Sequence, residues 1–273
     1  MNDKSSKDFA KKVRTEIINM LACAGSGHPG GSLSCADIVA VLYNNIMRYD
    51  FNRPNWEDRD RFIISKGHSC PAVYAALALK GFIPMDELKG FRQNGSILGG
   101  HPNMNKVPGI DMTTGSLGHG ISAGVGMALA GKIDKKDYKV FVIIGDGESQ
   151  EGQVWEAAMA AAHFKLDNLV VITDKNNLQI DGTTMDIMNN RDLSGKWQKF
   201  GWSVLQTDGH DHEKLNDIFS KVPFEKGLPN MIIADTVKGK GVSFMEDRVE
   251  WHGKSLSGNL IQQALKDIEG GTW

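Results

Sequence analysis

Apolar residues recur at helical spacing through residues 6–24, where Phe9, Val13, Ile17, Met20 and Leu21 fall on one face and charges on the other. The spacing predicts a helix there, with further helices over 36–46 and 71–80. Pro71 suits a first helical turn, where a missing N–H costs nothing. Residues 118–132 read as a small-residue helix of Gly, Ala, Ser and Met that packs very closely. Beyond residue 138 the pattern changes. The runs KVFVII (139–144) and NLVVIT (168–173) are short and continuously apolar, as buried parallel strands are. A helix over 152–165 separates them; a strand at 202–206, a helix at 211–221 and a strand at 231–234 follow. Strands alternating with helices predict an α/β fold, a parallel sheet with helices on both faces. Such sheets bind ligands beyond the carboxyl ends of their strands. No repeat or linker-like stretch interrupts the pattern, so residues 1–273 read as one domain.

Composition narrows the class. A chain of 273 residues buries roughly 70–75% of its unfolded surface without needing disulfides or metals to fold. Its 31 basic and 33 acidic side chains give a net charge of −2, with no general attraction for nucleic acid or anionic membrane. Three cysteines (Cys23, Cys35, Cys70) make no disulfide framework, so a reducing cytoplasm is expected. The charged N-terminus lacks the apolar core of a signal peptide, and the apolar stretch 121–131 is too short to span a bilayer. Glycine is the unusual number: 31 residues, about 11% against a usual ~7%. These glycines cluster in GSGHPGG (25–31), LGGHP (98–102), TTGSLGHG (113–120), IGDGESQEG (144–152) and KGKG (238–241). Such clusters mark turns where a ligand or another chain approaches the backbone.

GSGHPG satisfies the letters of a dinucleotide fingerprint, but a helix precedes it and Pro29 interrupts it, so that reading fails. The stronger signal is the predicted strand ending at Gly145-Asp146-Gly147. Thirty positions later Asn176 follows the next predicted strand. Adjacent parallel strands would bring Asp146 and Asn176 to the same sheet edge. A carboxylate, an amide oxygen and a backbone carbonyl are hard ligands suited to Mg²⁺, which completes its octahedron with phosphate oxygens and water. A bound diphosphate is therefore implied.

GDG followed about thirty residues later by Asn resembles the cofactor motif of the thiamine-diphosphate fold. The segment QEGQVWEAAMAAAHFKLDNLVVITDKNNLQIDG resembles transketolases in particular, and SGHPG, SKGH, GGHP, TTGSLGHGIS and TVKGKG occur in that family's order. The resemblance implies that Asp146, Asn176 and the Leu178 carbonyl hold Mg²⁺, with Ca²⁺ or Mn²⁺ as substitutes. It implies that Gly147, His68 and His252 contact the diphosphate of thiamine diphosphate. Gly115 and Leu117 would touch its aminopyrimidine end, and Ile180 would pack near its ring. His28, His101 and His252 look like the family's substrate-facing histidines, with imidazoles able to bond sugar hydroxyls or move protons. Glu151 matches the glutamate through which paired active sites communicate.

Other features have plainer readings. His163 reads as core packing within a helix, as do Met127, Met159 and Trp155. His210 and His212 have metal-pair spacing, but Asp211 between them reads as a helix cap. His119 stands where many transketolases carry Gln. Lys238 and Lys240 suit either a phosphate cradle or a solvated loop, and the N-terminal charge run reads as a solvated helix face. No counterpart of the family's pyrimidine-binding half occurs in the chain. The resemblance therefore implies the N-terminal subunit of a split, two-subunit transketolase, an α2β2 assembly with a separate C-terminal partner. Pentose phosphates, a branched sugar or a sulfonated sugar all fit as substrates. The α subunit of a 2-oxo-acid dehydrogenase is the nearest rival, and a non-catalytic thiamine-diphosphate-binding subunit is a second.

Overall fold

The computed structural model describes residues 3–271. Five parallel strands form the central sheet: β1 (Arg61–Ile64), β2 (Val140–Gly145), β3 (Leu169–Lys175), β6 (Ser203–Asp208) and β7 (Asn230–Asp235), in the order β1-β2-β3-β7-β6. A two-stranded hairpin, β4 (Leu178–Gln179) and β5 (Gly182–Thr183), follows β3. The helices are α1 (Asp3–Ala24), α2 (Pro29–Ser34), α3 (Ala36–Val41), α4 (Cys70–Leu79), α5 (His119–Ile133), α6 (Gly152–His163), α7 (Thr184–Ile187), α8 (Leu193–Lys199), α9 (His212–Ser220) and α10 (Asn259–Gly270). The α/β reading is thereby met.

Alternation along the strands splits the interior into two layers. Phe141, Ile143, Val170, Ile172 and Ile232 face a large core built from α1–α4 and α9. Val140, Val142, Val171, Met231 and Ile233 face a smaller core of α5, α6 and α8, capped by Trp197 and Trp202. Both faces of β2 are buried from end to end, which explains why its sequence shows no polar alternation.

Several elements depart from the sequence pattern. The helix predicted over 36–46 ends as α3, and its last turn widens to an i→i+5 turn over Leu42–Ile46. α2 is hidden in the sequence by Gly30 and Gly31, which are poor helix formers; all six of its residues are buried, so tertiary packing decides its conformation. β1 is four residues long and follows a run of charges. α10 does carry a legible face, with Leu260, Ile261, Ala264, Leu265 and Ile268 packed on the main core. His163 and Met159 do not pack in the core. Both lie on the outer side of α6, Met159 being 55% exposed. Met127 and Trp155 pack partly buried on the smaller core. In the N-terminal charge run Lys7, Asp8 and Lys12 are exposed and Lys11 is half-buried, whereas Arg14 turns inward to a buried ion pair with Asp37 at 2.5 Å; the side chains of residues 1–5 lie outside the described ones. Among the described residues no helix is long and apolar enough to cross a membrane.

The small-residue helix α5 lies against the sheet at the distance its glycines permit. A Cβ on Gly120 would stand 2.7 Å from the Ser65 Cα, and one on Gly124 would stand 2.6 Å from Val142 Cγ2. Gly126, on the same helix, meets nothing within 4 Å. Gly120→Ala is therefore expected to destabilise by about 1–3 kcal/mol through overpacking. Gly126→Ala should stabilise by about 0.5–1 kcal/mol through helix propensity alone. Urea unfolding midpoints of the two variants, moving in opposite directions, check this.

Candidate cofactor site

The glycine-rich stretches meet beyond the carboxyl ends of β1, β2, β3 and β7. In-register pairing of Gly145 with Asp174 puts the turn after β2 beside the turn after β3. The Asn177 N–H donates to Asp146 Oδ2 at 2.6 Å, and the Gly147 N–H donates to Asp146 Oδ1 at 3.0 Å. Asp146 and Asn176 thus stand together as the strand adjacency predicts. They border a cleft of about 410 Å³ whose walls also include His28, His68, His101, Gly115, Leu117, Gly147, Leu178, Ile180 and His252. Every site residue named from the sequence lies on this one cleft. Glu151 stands exposed on its rim, and Ile180 is 67% exposed.

Three imidazoles form its most compact feature. The ring centroids of His28, His68 and His252 lie 5.1, 5.2 and 5.7 Å apart. Burial, with the nearby Arg92, His101 and Lys238 charges, lowers His28 to about 4. Burial and the Lys238 ammonium lower His252 to about 3, and burial with Lys66 carries His68 well below the ordinary range. His101, more open, is lowered by burial and Arg92. All four rings are neutral near pH 7, able both to donate and to accept. Lys238 Nζ lies 3.0 Å from His252 Nδ1 and donates to the Leu178 carbonyl at 2.9 Å. An ammonium only donates, so the His252 proton resides on Nε2.

Two buried carboxylates brace the cleft from behind. Asp174 accepts from Ser34 Oγ (2.5 Å), Lys66 Nζ (2.5 Å), Asn176 Nδ2 (3.1 Å) and Thr236 Oγ1 (2.5 Å). Since a carboxylate can only accept, the amide nitrogen of Asn176 is fixed toward Asp174 and its oxygen faces the other way, accepting the Leu178 N–H at 3.2 Å. Glu148 accepts from Ser65 Oγ (2.5 Å), the Gly118 N–H (2.8 Å) and the Gly145 N–H (3.0 Å).

The donors fit a divalent cation joined to an anionic ligand. Burial, and the neighbouring Asp174 charge, push the Asp146 carboxyl up to about 6, a cost that a bound cation would remove. Asp146 is the one carboxylate in the set, the other oxygens being the Asn176 amide and the Leu178 carbonyl. No group of three or more His, Cys, Asp or Glu side chains among the described residues forms a metal site. A dication on this donor set needs further anionic oxygens from outside the chain.

Lys66, Glu148 and Asp174 are not singled out as site residues by the sequence pattern, and Lys238 only as one of two alternatives. A sequence signal exists for Asp174, an acid closing an otherwise apolar strand run, and for Lys66, inside SKGH beside His68. Of the two KGKG lysines, Lys238 is 2% exposed and lines the cleft, so its solvated-loop reading is wrong; Lys240 pairs outside the cleft with Glu246 at 3.4 Å. His119 is exposed and off the cleft wall. Glu148→Ala would strand the Gly118 and Gly145 N–H groups, and a loss of about 2–5 kcal/mol is expected by urea unfolding. Glu148→Gln, which keeps one acceptor oxygen, should lose less.

Over residues 5–270 the chain matches the family described as transketolase, thiamine diphosphate binding domain. It is 43% identical over 259 residues to one of the named subunits of the apulose-4-phosphate transketolase of Phocaeicola vulgatus, spanning 95% of this chain and 92% of that one. It is 44% identical over 260 residues to the 6-deoxy-6-sulfo-D-fructose transketolase subunit SqwG of a Clostridium species, spanning 95% and 94%. The transketolase of Campylobacter jejuni superposes with a TM-score of 0.93 at 33% identity, over 98% of this chain and 43% of its own. The chain thus spans about two-fifths of the solved transketolases it matches, and nearly all of the two subunits.

Proposed function

This chain belongs to the transketolase family by its thiamine diphosphate-binding domain, and from that premise we propose that it is the diphosphate-binding subunit of a two-subunit transketolase. The observation that carries the proposal is the convergence on one cleft of Asp146, Asn176 and the Leu178 carbonyl with His28, His68, His101 and His252. Residues 1–273 act as one domain in this reading. The partner is a separate C-terminal subunit carrying the pyrimidine-binding half, in an α2β2 assembly working in the cytoplasm. Two relatives that are themselves named as subunits, matched over 92% and 94% of their own length, support the division.

In this reading Asp146, Asn176 and the Leu178 carbonyl hold Mg²⁺, or Ca²⁺ or Mn²⁺ in its place. Gly147, His68 and His252 contact the diphosphate, Gly115 and Leu117 meet the aminopyrimidine end, and Ile180 packs near the ring. When bound, thiamine diphosphate supplies the nucleophilic carbon that breaks and re-forms a carbon–carbon bond beside a carbonyl. The chain's own task is to place the sugar and move its protons. His28 and His101 are neutral, so each can donate to a sugar hydroxyl or take a proton from it, while His252, its Nδ1 turned to Lys238, offers its Nε2–H as a donor. The result is transfer of a two-carbon ketol unit from a ketose or ketose phosphate to an aldose or its phosphate, pentose phosphates included. The names carried by its relatives favour this over 2-oxo-acid oxidation.

The test is reconstitution. The purified chain alone should show no ketol transfer and should gain it on mixing with its partner; full activity of the isolated chain would overturn the split. Asp146→Ala in the reconstituted pair should weaken Mg²⁺-dependent cofactor affinity by at least about 100-fold, the upper end of what outer-shell changes cost. A scaffolding subunit would leave turnover unchanged. Turnover of pyruvate in place of ketose phosphates would return the chain to the 2-oxo-acid class.

A further inference from the structure

The histidine pair at 210 and 212, which takes no part in the cleft, bears on how Lys238 reaches it. Asp37 is buried on α3 and accepts from Arg14 Nη1 (2.8 Å), Arg14 Nη2 (2.5 Å), His210 Nδ1 (2.6 Å) and His212 Nε2 (3.0 Å). Burial pushes the Asp37 carboxyl up, but Arg14 and the two histidines hold it well below the ordinary range, so it is an ionised acceptor. The His210 proton must therefore be on Nδ1. That leaves Nε2 as a lone pair, and it accepts the backbone N–H of Val237 at 2.8 Å. Arg14 gives its Nε–H to the carbonyl of Lys240 at 3.1 Å. One carboxylate, through one histidine and one arginine, thus grips the loop after β7 at two points three residues apart.

Lys238 lies between the two grips. Its side chain turns inward to the Leu178 carbonyl and His252, while the Gly239 N–H donates to the Gly30 carbonyl at 3.0 Å. Gly209, immediately before His210, packs directly on the root of the same loop. A Cβ there would stand 2.4 Å from Thr236 Cγ2 and 3.1 Å from the Asp235 carbonyl. A side chain at Gly209 would push the end of β6 away from the loop that His210 holds. The spacing of His210 and His212 is not that of a metal pair here, because the nitrogen each turns to Asp37 shares that carboxylate with a guanidinium.

We propose that His210, carried by Asp37 and Arg14, is a positioning residue that fixes the 237–240 loop and thereby aims Lys238 at the Leu178 carbonyl and His252. The proposal rests on the cleft being the cofactor site. It requires a group that donates on one side and accepts on the other across a rigid span, which a phenyl ring lacks and a glutamine partly supplies.

The experiment uses the full chain with His210→Phe, Lys238→Met and both together. Deuterium exchange of peptides spanning 236–242 should speed up about tenfold or more in His210→Phe while β2 and β3 peptides stay protected. His210→Gln should recover part of that protection. Thiamine diphosphate titrated in the presence of MgCl₂ and the partner chain should bind about 10-fold more weakly to His210→Phe, in the range of outer-shell changes. That loss should vanish in the Lys238→Met background, because the two residues act in series. Unchanged exchange over 236–242, or an equal loss of affinity in both backgrounds, overturns the proposal. Should His210→Phe fail to fold, His210→Asn, which keeps the Asp37 contact but falls short of Val237, decides the same cycle. If the unsubstituted complex binds no thiamine diphosphate, the cofactor reading fails while the exchange measurement still judges the strut.

Discussion

Asp174 sits fully buried where β3 ends, and an isolated carboxylate there would be too costly for a marginally stable fold to carry. Its charge is met by Lys66, equally deep, and the two shifts agree. Burial raises Asp174 and lowers Lys66, yet each partner reverses the other's burial effect and keeps both ionised. The remaining lone pairs are taken by Ser34 at the end of α2, Thr236 after β7 and Asn176 after β3 itself. Four separate segments of chain are thereby obliged to arrive at one point. Lys66 passes the constraint on, donating also to the Gly31 carbonyl at 2.7 Å. The cleft is the space left in front of that knot, and its shape follows from the need to satisfy one buried charge.

Glycine is what lets so many segments crowd together. Gly31 carries no Cβ because one would stand 2.7 Å from Ser69 Oγ and 3.3 Å from His68 Nε2. A Cβ on Gly67 would stand 2.8 Å from the backbone of Thr114 and Gly115. Part of the excess of glycine that stands out in the composition is thus a packing requirement of the loops around the cleft. For the same reason the site is readable in the sequence. Gly145-Asp146-Gly147, Asn176 and the histidines beside glycine or proline sit in short motifs whose local letters report a local geometry.

What escapes the sequence is what depends on distant partners. Arg14 follows the exposed charges Lys7, Asp8 and Lys12, and nothing nearby in the chain says that it meets Asp37, 23 residues on. Lys238 looks like its neighbour Lys240, and only the closure of the loop against Gly30 separates a buried cation from a partly exposed one. His163 and Met159 err in the opposite direction: the periodicity of α6 is carried by Val154, Ala157, Ala158 and Ala161, and small residues on the buried face make the larger outer ones look like core. The strands fare better because continuous burial writes itself directly into composition. α2 cannot, since its two glycines argue against the helix that surrounding contacts impose.

The electrostatic balance of the cleft ties these parts to its ligand. Lys66 is committed to Asp174, and Glu148 is satisfied by a hydroxyl and two N–H groups. Asp146 and Lys238 are the buried pair left lining the open space, with Glu151 and Asp181 exposed at its rim. Burial and the Lys66 ammonium lower Lys238 to about 8 against the opposing pull of Asp174 and Asp146, while Asp146 rises to about 6, so each charge is held less firmly than usual. Lys238 also occupies the Leu178 carbonyl, one of the oxygens suited to a dication. An ammonium and a dication in such proximity repel strongly in a medium of low dielectric unless an anion lies between them. In the proposed reading metal and diphosphate would therefore bind together: each would remove the electrostatic objection to the other at a wall that buries one carboxylate and one ammonium beside neutral imidazoles.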